Sequence, residues 1–243
     1  MSAPISLLRA VSARFRVGCA ALALGAGLLP GRADDRRSDL YGRLEGEVYV
    51  APADRYRVSI PVLPELGGQV HDTENVVTFD DNLSTHASIA CFPLDVDQKT
   101  ELEVRGLRRY LGYFYTEFVL ADFRQRFPSA TDEKMLFVPE YRDGALLGFA
   151  LLPGGSVFAA RDALPGADAN DRPVAKRGNL LFLHDNAVFV VSIELAERVT
   201  ERSVFHKTPE EEDVILRERL LQLANRIQFP TAPKPPAPPG AGP

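Results

Sequence analysis

The groups in this chain that could do chemistry are histidines and carboxylates in its turns. His71, Asp72 and Glu74 lie together, and Asp80 and Asp81 follow one short apolar run later. If those two turns meet, an imidazole and several carboxylates converge, as a divalent cation would require. The competing reading is two solvated turns, because carboxylates are common in turns for backbone reasons alone. His184-Asp185-Asn186 is a second polar cluster, and Asp and Asn suit a hairpin turn there. A third, Asp168, Asn170 and Asp171, resembles part of a calcium loop but lacks the glycine and distal Glu of the EF-hand pattern.

Enzyme signatures are absent. There is no G-x-S-x-G, H-E-x-x-H, C-x-x-C, P-loop or G-x-G-x-x-G, and Gly154-Gly155-Ser156 lacks the next glycine of a nucleophile elbow. The four histidines, His71, His86, His184 and His206, fall on separate elements. No catalytic residue and no cofactor is therefore assigned. A divalent cation is the one cofactor that His71, Asp72, Glu74, Asp80 and Asp81 could take.

The elements that position these groups begin with Leu107–Phe127. Leu107, Leu111, Phe114 and Phe118 recur on one face of a helical period, and Pro128 stops the helix. Expected strands are 47–50, 56–60, 76–79, 85–92, 135–141, 145–152, 157–158, 179–183 and 187–193. Asp143-Gly144 centres one hairpin and His184-Asp185-Asn186 another. Asp95–Lys99 reads as a polar loop. The strand Ala187–Ile193 is nearly all apolar, so it is expected at the sheet centre with both faces covered.

A closing helix is expected over 209–228. Thr208 caps it, Pro209 takes its first position, and Glu211 completes a capping box. Leu216, Leu220, Leu223 and Ile227 form its buried stripe. The fold class is thus α+β, a mostly antiparallel sheet packed with the helices at 107–127 and 209–228.

Residues 1–33 carry four arginines and no acid, and Val17–Leu29 is an uncharged apolar run. That run is short of the ~20 residues needed to cross a bilayer. A basic start, a short apolar run and Gly31-Arg32-Ala33 make a signal peptide cleaved after Ala33. The expected organisation is then signal 1–33, polar lead-in 34–43, one α+β domain over 44–229, and a Pro-rich tail over 230–243. The location expected is periplasmic or secreted, with no membrane span after cleavage.

Hydrophobic residues are 45% of the chain, enough for a sizeable core. The net charge of −5 offers no basic stripe for phosphates, so nucleic acid is excluded as a partner. After loss of Cys19 with the signal, Cys91 stands alone and no internal disulfide can form. Cys91 lies in an apolar strand pattern and is expected to be a buried, inert thiol.

The order of elements resembles the PsbP-like fold, shared by a photosystem II extrinsic protein and a Ran-binding nuclear import factor. The resemblance runs from Tyr49-Val50-Ala51-Pro52 and Tyr56-Arg57-Val58-Ser59-Ile60-Pro61 through Val77-Thr78-Phe79-Asp80-Asp81. It continues over the long helix and paired hairpins to Arg226-Ile227-Gln228-Phe229, roughly residues 44 to 229. The chain departs from the photosystem proteins in having no plant-type transit region. The resemblance implies a binding or assembly factor acting through a protein partner in the cell envelope. The alternative is a small exported hydrolase or divalent-metal-dependent enzyme. The surface expected to meet a partner is the loop 161–176, with Arg161, Asp162, Asp168, Asp171, Arg172 and Lys176 as its polar rim.

Overall fold

A computed structural model describes residues 40–162 and 173–230, with the side chains of residues 160–162 left aside. The expected signal peptide and cleavage site, most of the expected lead-in, the centre of the long loop and residues 231–243 of the Pro-rich tail lie outside these residues.

Seven antiparallel strands form the main sheet. They are β4 (Gln69–Asp72), β5 (Val76–Asp80), β6 (His86–Pro93), β7 (Thr131–Val138), β8 (Ala145–Pro153), β9 (Val174–His184) and β10 (Ala187–Glu194). Their order is β4-β5-β6-β10-β9-β8-β7. A small second sheet pairs β1 (Arg43–Glu45), β2 (Val48–Val50), β3 (Arg57–Ser59) and β11 (Ile227–Gln228) in that order. The α+β expectation holds. β10 sits between β6 and β9 and is buried along its whole length, as its apolar sequence requires.

Alternation along the strands sends side chains to two apolar layers. One face carries Phe79, Ile89, Phe182 and Phe189 against Tyr49 of β2, Tyr56 just before β3, and Leu216 and Leu220 of α6 (Pro209–Asn225). The other carries Ala90, Val188, Val190 and Leu181 against the long helix. That helix starts as α2 (Leu107–Phe114), widens into a π-helical turn at Tyr115–Leu120, and ends as α3 (Ala121–Arg126). Tyr115 opens the wide turn with its ring lying on Gly148, where a Cβ would stand 2.6 Å from the ring.

Several local expectations are corrected. Asp95–Lys99 is no loop. Asp95 caps α1 (Val96–Arg105), with Gln98 returning the bond in a capping box. The expected strand at Val157-Phe158 is instead the start of α4 (Val157–Asp162), whose first turn is held by Ala159 N–H donating to Ser156 Oγ at 3.2 Å. β9 begins at Val174 and not Asn179, so Lys176 and Arg177 are strand residues. The β7–β8 connection spans 139–144, with positive φ at Arg142, Asp143 and Gly144, and is wider than a two-residue turn. β1 and β4 were not foreseen, nor was the short α5 (Glu197–Thr200). The closing helix ends at Asn225, and Ile227 is buried from β11.

Thr208 and Glu211 form the expected capping box, and Leu216, Leu220 and Leu223 are buried. Burying each of those leucines contributes roughly 1.5–3 kcal/mol. Among the described residues, no helix is long and apolar enough to cross a membrane.

Candidate functional site

The structure disperses the metal-site candidates. His71 stands exposed on β4 with Nε2 3.1 Å from Gln69 Oε1. Asp72 accepts the N–H groups of Tyr41 and Gly42 and the hydroxyl of Tyr49, at 3.0, 2.7 and 2.7 Å. It thereby pins the start of the described chain to β4. Glu74 is exposed in the β4–β5 turn. Asp80 pairs with His86, directly opposite on β6, and not with His71. Asp81 is occupied by turn amides. Among the described residues, no group of three or more His, Cys, Asp and Glu is placed to hold a metal ion.

The Asp80–His86 pair is the arrangement nearest to catalytic geometry. His86 Nδ1 lies 2.5 Å from Asp80 Oδ1, and both side chains are 6% exposed. Burial holds the imidazole below its ordinary pKa, and Arg177 adds to that, while Asp80 and Glu194 oppose it. Arg177 reaches Glu194 at 3.3 Å and lies over the Phe123 ring of α3. Asp122 of α3 is pushed above the usual carboxylate range by burial, against the pull of Arg126. These charges face one another in the seam between sheet and helix. Asp80 with His86 and Arg177 with Glu194 pair strand to strand, and Arg177 over Phe123 is their contact with the helix layer.

The other polar candidates are also accounted for. Lys176 does not stand on a loop rim. It is 0% exposed and reaches Glu133, Glu212 and Asp213 at 2.6, 3.4 and 2.8 Å, so its charge is consumed inside the fold. Arg161 and Asp162 end α4, with side chains outside the described set, and Asp168, Asp171 and Arg172 lie outside it altogether. His184 stacks on Phe229 with ring centroids 3.5 Å apart. Cys91 is buried, and burial pushes its thiol up to about 11, against the pull of Arg55. The recess beside it, lined by Tyr49, Arg55, Tyr56 and Asn75, has room for about one water molecule.

What remains is an apolar surface that sequence reasoning missed. Leu63, Leu66 and Leu83 are 57%, 41% and 56% exposed, on two turns that interlock. The Asp81 carboxylate accepts the amides of Leu83, Ser84 and Thr85 at 2.9, 2.7 and 2.8 Å. Burial pushes this carboxyl up, but those amides outweigh it and hold it below the usual carboxylate range. On the other turn Gly68 N–H returns to Leu63 O at 2.9 Å, and the Asn82 amide donates across to Leu66 O at 3.2 Å. Gly67 makes the fit possible. Its φ is +76°, and a Cβ there would fall 2.1 Å from Asn82 Nδ2. Three leucines are thus presented to solvent on backbone that has little freedom left to lose. Ordinary loop leucines carry no pattern that marks such a patch in the sequence.

No family model matches the chain, and no curated protein matches it. Solved structures do. The chain is similar to the cyanobacterial PsbP (CyanoP) of Synechocystis, at 11% identity and a TM-score of 0.44, over 75% of this chain and 91% of that one. The likeness is one of fold. The Ran-binding protein Mog1p of Saccharomyces cerevisiae matches at 10% identity and a TM-score of 0.42, over 72% and 90%. A Bacteroides thetaiotaomicron protein matches at 9% identity and a TM-score of 0.35, over 79% of this chain and 51% of that one. The PsbP-like resemblance therefore holds at the level of fold, and at these TM-scores it carries no argument about partners or activity.

Proposed function

We propose that this chain is an exported, non-catalytic binding or assembly factor, and that it acts through protein contact at the Leu63–Leu66–Leu83 surface. The observation that carries the reading is that these exposed leucines sit on turns immobilised by Asp81 and Asn82. Apolar side chains gathered on one exposed stretch, unlike singly scattered ones, mark contact surfaces. Held rigid, they lose little entropy when a partner covers them. The groups that an enzyme would use are scattered on the surface or sealed in the sheet–helix seam.

Export supplies the setting for this contact, and the basic-then-apolar start is its support. N-terminal sequencing of the mature protein is expected to begin at or near Asp34. Full-length chain recovered from the cytoplasm contradicts the export. For the contact, a variant combining Leu63→Ser, Leu66→Ser and Leu83→Ser is compared with the parent in co-purification from the envelope fraction of the source cells. The parent is expected to retain a partner that the variant loses, with melting temperature unchanged. Equal recovery by both rules out this surface.

A further inference from the structure

The leucine surface lies at the Gln69 end of β4, one of the two edges of the main sheet, while at the other end Asp72 holds the amides of Tyr41 and Gly42 through its side chain. The two edges are β7 and β4, and the fold treats them differently. β7 carries a bulge between Asp132 and Lys134, and Lys134 is tied down to Asp213 of α6 at 3.0 Å. A bulge and an edge lysine are standard obstacles to strand addition. β4, Gln69-Val70-His71-Asp72, has neither lysine nor proline and pairs with β5 in unbroken register.

The hydrogen-bond phase of β4 follows from its turn. Thr73 N–H donates to Val76 O at 2.8 Å, which makes Thr73 and Val76 a bonded pair. Bonded pairs alternate in an antiparallel ladder, so His71–Thr78 and Gln69–Asp80 are the next two. The backbone N–H and C=O groups of Val70 and Asp72 therefore point away from the sheet. Among the described residues, no backbone bond beyond the β5 ladder reaches them.

We infer that β4 is a docking edge for an extended segment of a partner protein, which would add as an eighth strand beside it. The inference rests on the contact reading above and deepens it. The leucines stand at the Gln69 end of β4, where Leu66 and Gly67 lead into the strand and Leu83 follows the turn after β5. They would seat an apolar side chain of the incoming segment. Glu65 flanks that end and Glu74 the other, both exposed and without an ion-pair partner among the described residues. The segment that fits is extended, alternates apolar with basic side chains, and bonds through its backbone to Val70 and Asp72.

The test uses a capped hexapeptide of alternating valine and lysine, with its valine–glutamate counterpart as control. Hydrogen exchange of the Val70 and Asp72 amides is expected to slow at least tenfold at saturating lysine peptide. The amides of Gln69 and His71, already bonded to β5, should change little. Val70→Pro removes an outward donor and should abolish binding of the peptide. The exchange measurement on the unaltered protein decides the matter if that variant fails to fold. The inference is overturned if the two outward amides stay unprotected, or if the glutamate peptide protects them equally. A dimer in sedimentation that Val70→Pro dissolves also overturns it, since the edge then belongs to a second copy. If partner recovery depends on the three leucines but no peptide protects β4, the edge fails and the contact reading stands. If the leucines are not needed, the contact reading fails whatever β4 does.

Discussion

The amide of Asn82 donates to the carbonyl of Leu66 at 3.2 Å, and that single bond joins the turn after β5 to the turn before β4. It brings the backbone of Leu66 against that of Asn82, next to Leu83, although 17 positions separate the two leucines in the chain. Gly67 is the residue that tolerates the approach. Gly67→Ala meets both a positive φ and a clash with Asn82. It is expected to cost about 1–3 kcal/mol in denaturant unfolding. A neutral result would mean that the two turns are not locked together.

Asp81 fixes the second turn through three amides. Asp81→Ala leaves those donors without their acceptor and should destabilise by roughly 1–3 kcal/mol. The carboxyl titrates below the usual carboxylate range, so its contribution is present above the unfolded pKa and fades as pH falls through the lower folded value. Parent and variant should therefore converge in stability toward strongly acidic pH, which urea melts across pH can read.

His86 runs the other way in chemistry but not in direction. Its folded pKa is lowered by burial and by Arg177, so the unfolded chain takes up a proton first as pH drops. Stability should fall as pH moves below the ordinary imidazole value. His86→Gln should flatten that part of the profile. An unchanged profile in the variant would assign the acid sensitivity to another group.

Lys176 is the buried cation of the α6 end, facing Glu133, Glu212 and Asp213. Lys176→Met strands those carboxylates and should cost about 3–5 kcal/mol, the usual loss on breaking a buried pair from one side. A loss under about 1 kcal/mol would place the lysine at the exposed rim that its sequence context suggested.

The closing helix offers an internal scale. Thr208→Ala removes the cap oxygen that Glu211 N–H bonds at 3.3 Å and should cost ~1 kcal/mol. Leu220→Ala opens a fully buried site and should cost ~2–5 kcal/mol. Chemical melts that reverse this ranking would show the buried face to be misassigned.

These cases also separate what was legible in the sequence from what was not. α6 was readable because its cap, its first-turn acids and its stripe are all local. β10 was readable because six of the seven residues from Ala187 to Ile193 are apolar, with only Ser192 polar, which leaves no wet face. α1 was equally local, with Asp95 and Gln98 in capping-box spacing, but its polar sequence hid it. The early start of β9 could not be read, because Lys176 and Arg177 are tolerable in a strand only through partners on β7, β10 and α6. Asp80 was grouped in the sequence with His71 as a metal-site candidate, and the structure pairs it instead with another histidine. The partner is His86, directly across the ladder, since register and not proximity in the chain decides which side chains meet. The leucine surface depends on one cross-turn bond, and nothing in the chain marks it.

The most direct measurement places a photo-crosslinking residue at position 83 of the full chain, with a second chain carrying it at the more exposed position 104 on α1. Both are irradiated in the source cells. The account predicts one discrete adduct from position 83, lost when Leu63→Ser and Leu66→Ser are added, and none from position 104. No adduct at 83, or the same adducts from both positions, would contradict it.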